Sequence, residues 1–154
     1  MNTYHFNIII RDANSQDSTL EDRLFEAGCD DALVCRLDEL VYLEFDRASD
    51  SAKAAIASAF DDLHKAGFYD LILQEKGVSS LSEMAKRLGV SRMTLSHYAN
   101  GTRGMGNFPK PVAGVLSGSL LYAWHEVADW LYQQNKISQP DYDVAKAAGV
   151  FSLL

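Results

Sequence analysis

The sequence predicts an α+β protein: a small acidic β-α-β-β-α domain over residues 1–70, followed over 71–154 by a mainly helical domain. Three observations predict it. Residues 4–10, YHFNIII, place Tyr4, Phe6, Ile8 and Ile10 on one face at the period of a strand. Residues 50–66 repeat apolar side chains at the period of a helix. The charge also changes sign: residues 1–70 hold 15 acidic and 6 basic side chains, a balance of −9, whereas residues 71–154 hold 6 and 8, a balance of +2. Such an asymmetry between halves suggests two modules with different tasks.

The elements follow in order. After the first strand, Leu20, Leu24 and Ala27 recur at helical spacing and Gly28 stands where a C-terminal cap belongs. Two strand-like runs come next, roughly 32–37 and 40–46, with Asp38–Glu39 at the turn and Val41, Leu43 and Phe45 sharing a face. The second helix carries Ala52, Ala55, Ile56, Ala59, Phe60 and Leu63 as its apolar stripe and closes at Gly67. This order is half of a ferredoxin-like repeat and suggests a small α+β layer domain. The boundary falls near 68–78, where residues 69–76 also read as helical.

Composition bounds the function. A chain of 154 residues with 47% apolar side chains and 23% charged ones can build one or two cores and does not resemble a disordered segment. No apolar run reaches the ~18 residues of a membrane span. MNTYHFNIIIRDAN lacks the basic and apolar regions of a signal peptide, and two cysteines, Cys29 and Cys35, are too few for a disulfide scaffold. The expected location is cytoplasmic. Read as an average, the net charge of −7 argues against nucleic acid as a partner. Residues 76–110 reverse that argument, because Lys76, Lys86, Arg87, Arg92, Arg103 and Lys110 face only Glu83, a local balance of +5.

The same window carries a structural signature. In SLSEMAKRLGVSRMTLSHYANG, residues 80–101, Ser80 and Glu83 form an S-x-x-E capping box. The helix it starts buries Leu81, Met84, Ala85 and Leu88 and stops at Gly89. Val90 plugs the turn, Ser91 caps a second helix, Leu95, Tyr98 and Ala99 form its stripe, and Gly101 ends it. Two short helices joined by a turn of three or four residues containing glycine make a helix-turn-helix. In that plan the second helix enters the major groove with its N-terminal residues at the base edges. The side chains so placed are Ser91, Arg92, Met93, Thr94, Ser96 and His97. Arg92 suits a bidentate guanine contact or a phosphate, and Met93 and Thr94 suit a thymine methyl. Capping is an alternative to contact for Ser91 and Thr94, and for Ser91 an equal one; Asn100 reads first as a helix terminator and second as a base or phosphate donor.

Residues 101–132 continue with a glycine-rich segment, the turn Phe108-Pro109-Lys110-Pro111-Val112, a Leu-Leu-Tyr-Ala-Trp run, and a helix ending Val127-Ala128-Asp129-Trp130-Leu131. Over about residues 78–132 the chain resembles the AlpA/excisionase branch of the MerR-like winged helix-turn-helix regulators. The resemblance implies a β wing after the recognition helix and a Trp-Leu helix end packed on the core. It implies that Arg103, Asn107 and Lys110 flank the wing and meet phosphates. The 101–107 loop is long for that group, and an acidic N-terminal domain is outside its basic pattern. Tyr122, Trp124 and Trp130 read as core residues.

Catalytic motifs do not assemble. Gly101-x-x-Gly104-x-Gly106 follows a helix rather than a strand, and His125-Glu126 lacks a second imidazole because position 129 is aspartate. Asp30–Asp31 and Asp61–Asp62 are adjacent carboxylates that point apart, and Cys29 and Cys35 read as buried thiols. The expectation is no enzyme, no metal and no cofactor. What the residues favour is a transcriptional regulator, a repressor that binds operator double-stranded DNA as a homodimer. In this reading the acidic domain dimerises or senses a protein partner. Three alternatives remain open: an antitoxin that binds its toxin through the acidic domain, an excisionase-like factor that bends DNA, and a helix-turn-helix that docks protein without affinity for DNA.

Overall fold

In the computed structural model, which describes residues 1–151, the alternation at the N-terminus becomes a strand, β1 (Asn2–Ile10). Its Tyr4, Phe6, Ile8 and Ile10 are buried. The helix α1 (Leu20–Glu26) buries Leu20 and Leu24. The hairpin of β2 (Ala32–Leu37) and β3 (Leu40–Ser49) turns at Asp38–Glu39, with Leu37 opposite Leu40 and Asp38 at φ 54°. The helix α2 (Ala52–Lys65) starts on the Ser51 hydroxyl, which accepts from the Ala54 amide at 3.1 Å, and buries all six residues of its apolar stripe. A short fourth strand follows, β4 (Leu71–Leu73).

These strands form one antiparallel sheet in the order β2-β3-β1-β4, the order of a β-α-β-β-α-β ferredoxin-like chain. Its packed face holds Phe6 stacked on Phe45 at 5.2 Å between ring centroids. Because paired residues share a face, Ile72, Ile9, Tyr42 and Cys35 form a row across the opposite side. Leu33 and Leu37 lie on that side too and are exposed. The segment 69–76, read from sequence as helical, is instead β4 and a 3-10 turn over Gln74–Lys76. Three residues are too short to show a period, and Leu71 and Leu73 are drawn into the sheet beside Ile10 and Ile8.

The face defined by Val41, Leu43 and Phe45 continues to Arg47, which is only 7% exposed. Its guanidinium bonds Asp31 at 2.8 and 3.0 Å, Asp62 at 2.9 Å and the Gly28 carbonyl at 2.9 Å. The two adjacent-carboxylate motifs thus each lend one member to a structural ion pair. Cys29 is buried and Cys35 half-buried, both as free thiols.

The described residues form two compact units: Met1–Gln74 together with Phe151, and Glu75–Val150. The division between the units falls after β4, between Gln74 and Glu75. The second unit opens with β5 (Val78–Ser79) and continues with α3 (Leu81–Leu88) and α4 (Arg92–Asn100). A loop then leads to β6 (Tyr122–Ala123), α5 (Trp124–Gln133) and α6 (Gln139–Val150). β5 pairs antiparallel with β6. Met84, Leu95, Tyr122, Trp124, Val127, Trp130, Leu131 and Ala145 meet in one core. No helix among the described residues is long and apolar enough to cross a membrane.

Candidate nucleic-acid interface

The site is built from the caps inward. The Ser80 hydroxyl accepts the Glu83 amide at 3.2 Å and fixes the start of α3. At the other end Gly89 takes a left-handed conformation, φ 68°, and the amides of Gly89 and Val90 return to the carbonyls of Lys86 and Ala85. This pair of bonds reverses the chain within one residue of the helix. The Ser91 hydroxyl then accepts the Thr94 amide at 3.2 Å and starts α4, which ends at Gly101 with the same paired bonds, to Tyr98 and His97. Val90 does not plug the turn: it is 43% exposed, and the wedge between the helices is filled by Met84, Ala85 and Leu95. The left-handed Gly89 bond returns Val90's amide to Ala85 but leaves its side chain outside.

The proposed contact residues separate into three groups. Arg92 and Met93 stand exposed on the first turn of α4, Met93 at 68%, with Ser96 half-buried one turn on. Ser91 and Thr94 are engaged with each other, their hydroxyls 3.0 Å apart. At the far end, Asn100 Oδ1 accepts both the amide of Thr102 at 3.0 Å and its hydroxyl at 2.7 Å. His97 Nδ1 lies 2.7 Å from the same hydroxyl. Asn100 is thus the terminator of α4.

Arg103, Asn107 and Lys110 are exposed on the loop after α4, at the opposite end of that nine-residue helix from Arg92. The ends of such a helix are roughly 13 Å apart at 1.5 Å per residue. Asn107 sits at φ 60°. The loop is held by aromatic packing. Phe108 meets Tyr122 and Trp130 edge-on at 5.6 and 5.0 Å, and Trp130 Nε1 donates to the Gly106 carbonyl at 2.9 Å. Gln134 Oε1 accepts the Met105 amide at 3.1 Å. Tyr122, Trp124 and Trp130 are all buried.

Two features escaped the sequence. Arg87, counted among the cations of the 76–110 window, turns inward: it pairs with buried Glu75 at 2.6 Å and covers the Trp124 ring at 5.3 Å. Glu75 lies one residue outside that window, and only the folded chain shows that it neutralises Arg87. The second feature is the hairpin after the Phe-Pro turn, closed by Val112 and Leu121 amides donating to the Leu121 and Ala113 carbonyls at 2.8 and 2.9 Å. It carries no charged residue between Pro111 and Ala123, so the cations of this region lie on α4 and the loop instead. A cleft of about 340 Å³ joins the hairpin's Ser119 and Leu120 to Arg92 and to Ser80 and Ser82 at the start of α3. No group of three or more His, Cys, Asp or Glu side chains comes together as a metal site among the described residues. No family model, curated protein or solved structure matches the chain.

Proposed function

We propose that the chain is a sequence-specific DNA-binding regulator of the winged helix-turn-helix kind, a cytoplasmic repressor that binds operator DNA as a homodimer. One observation carries the reading. Two short helices are locked by a serine cap and a left-handed glycine at each end, and the second presents Arg92 and Met93 outward on its first turn with no acid along its length. A helix so displayed offers hydrogen-bond donors and apolar groups to the floor of the major groove. Lys86, Arg92, Arg103 and Lys110 are exposed cations that suit phosphates. The hairpin of residues 112–121 stands where a wing would.

The first unit supplies the dimer in this proposal. Its uncovered sheet face bears the row Ile72, Ile9, Tyr42 and Cys35, an apolar strip inside an otherwise acidic domain. A second reading draws on the same face: exposed Leu33 and Leu37 offer it to a different protein, as an antitoxin offers a surface to its toxin.

Selection of bound fragments from random duplex DNA by the purified protein tests the proposal. Recovery of a palindrome, with half-sites ~34 Å apart or a multiple of it, is the expected result. Binding weakens steeply with added salt if phosphates are engaged. No enrichment above input would remove DNA as the partner.

A further inference from the structure

The cleft between the hairpin and the start of α3 lies wholly within the second unit, and its lining is that of a ligand site. Arg92 brings a guanidinium that makes no ion pair among the described residues, and no carboxylate lines the cleft. The start of α3 adds the amides of Leu81 and Ser82, which helix geometry leaves without an intrahelical acceptor. The Ser80 hydroxyl is already spent on the Glu83 amide. Tyr122 supplies the deciding observation. It is 5% exposed and lines the cleft, yet its hydroxyl has no hydrogen-bond partner among the described residues. A phenol so deeply seated usually finds one. The sealed side-chain atoms without partners are Ser79 Oγ and Gln134 Nε2, so the Tyr122 oxygen is reached from outside, and the cleft is the opening it lines.

We infer that the cleft binds a small carboxylate with a compact apolar body, and that this occupant draws Arg92 away from DNA. Charge sets the class. One guanidinium and the partial positive charge of a helix terminus balance a single negative charge better than the two of a phosphate monoester. A carboxylate also takes two parallel bonds from a guanidinium, and the Tyr122 hydroxyl can donate to one of its oxygens. Leu81 and Leu120 wall the space left for the apolar body. A volume of about 340 Å³ is the share of roughly eleven waters at ~30 Å³ each, so the ligand has on the order of ten non-hydrogen atoms. Arg92 belongs to the first turn of α4, so a carboxylate that holds its guanidinium in the cleft competes with a base or a phosphate for the same side chain. The release of DNA rests on the proposed DNA binding; the carboxylate site does not.

Amide chemical shifts of the full chain, followed while benzoate, 4-methylpentanoate, benzyl alcohol or inorganic phosphate is added, test the site without DNA. Both carboxylates are expected to move the Leu81, Ser82 and Ser119 amides to saturation. Benzyl alcohol keeps the apolar body of benzoate without its charge and should move none. Arg92→Gln is expected to weaken benzoate about tenfold and Tyr122→Phe about fivefold, the losses of a charged and a neutral hydrogen bond. Because the Tyr122 hydroxyl bonds nothing in the protein, Tyr122→Phe should keep the wild-type unfolding midpoint, which a structural role would not allow. No saturation by either carboxylate overturns the site, as does unchanged affinity in either variant. Phosphate that binds as tightly as benzoate overturns the carboxylate and makes the cleft a seat for the DNA backbone. On the selected duplex, benzoate at about ten times its Kd should weaken binding about tenfold against sodium chloride of equal ionic strength. Unchanged DNA affinity there overturns the competition for Arg92. Recovery of no duplex removes the proposed DNA binding, and with it the competition, while the amide shifts still decide the carboxylate site.

Discussion

The carboxylate of Glu75 and the guanidinium of Arg87 meet at 2.6 Å, with the two side chains 2% and 16% exposed. The pair ties the segment entering the second unit to the last turn of α3, and the Trp124 ring backs the guanidinium. Removing one member leaves the other charged and poorly solvated. Glu75→Ala is therefore expected to cost about 3 kcal/mol, whereas the double variant Glu75→Leu/Arg87→Met is close to neutral, since buried ion pairs exchange well for apolar packing. Urea titration of both variants measures the difference. Equal losses in the single and double variants would show that the pair has no special role.

Burial pushes the Cys29 thiol from its ordinary value of 9.0 up to about 12, with the nearby Asp62 carboxylate adding to the effect. The thiolate is the reactive form, so Cys29 is expected to resist an aromatic disulfide reagent at pH 8 until the protein is unfolded. Half-buried Cys35 should react first. The same shift fixes a pH window. The unfolded chain releases this proton near 9 and the native chain holds it to about 12, so the stability it contributes is intact below pH 9 and declines from 9 to 12. Cys29→Ala should flatten the alkaline limb of a stability–pH curve. An unchanged limb would show that another group controls it.

Much of the fold was legible wherever a period ran long enough. β1 and the stripe of α2 were fixed by alternation and by 3.6-residue spacing, and the two short helices by Ser80, Gly89, Ser91 and Gly101. The short pieces were not legible: β4 has three residues, and its identity comes from pairing with β1. Arg47 shows the other limit. Period two places it on the buried face after Phe45, yet its charge is tolerable there only because Asp31 and Asp62, distant in sequence, converge on it. In the candidate interface, exposed Arg92 and Met93 were legible from the cap at Ser91. The inward turn of Arg87 depended on Glu75, and the role of Asn100 depended on Thr102.

Gly114 supports the hairpin through a contact that tolerates no side chain. With φ +87° and the Ser119 carbonyl 2.0 Å from where a Cβ would stand, Gly114→Ala must open the turn. Strain of this sort costs on the order of 1–3 kcal/mol, and the hairpin rather than the core should absorb it. Amide exchange reads it directly: the Leu121 amide, which donates to Ala113 at 2.9 Å, should lose protection while the Val90 amide keeps its own. Retained protection at Leu121 would mean that the turn accommodates alanine.

Ser91 and Arg92 are neighbours whose substitution should separate folding from recognition. The Ser91 hydroxyl accepts the Thr94 amide and lies 3.0 Å from the Thr94 hydroxyl, so its bonds are spent on starting α4. Ser91→Ala should therefore lower unfolding stability by about 1 kcal/mol. Arg92 is exposed on the adjoining turn, and Arg92→Ala should leave stability within ~0.5 kcal/mol of wild type, as for a surface change. On the selected duplex the order reverses. Arg92→Ala should lose about 1–3 kcal/mol at one base position if its contact is bidentate, and a uniform loss with a shallower salt slope if it holds a phosphate. Ser91→Asp, which keeps a cap acceptor but adds a negative charge beside the DNA, should restore stability and still weaken binding. Denaturation and fluorescence anisotropy titrations on the same preparations provide both readouts. A stable Ser91→Ala that fails to bind would place the hydroxyl on the DNA, and a fully binding Arg92→Ala would remove Arg92 from the interface.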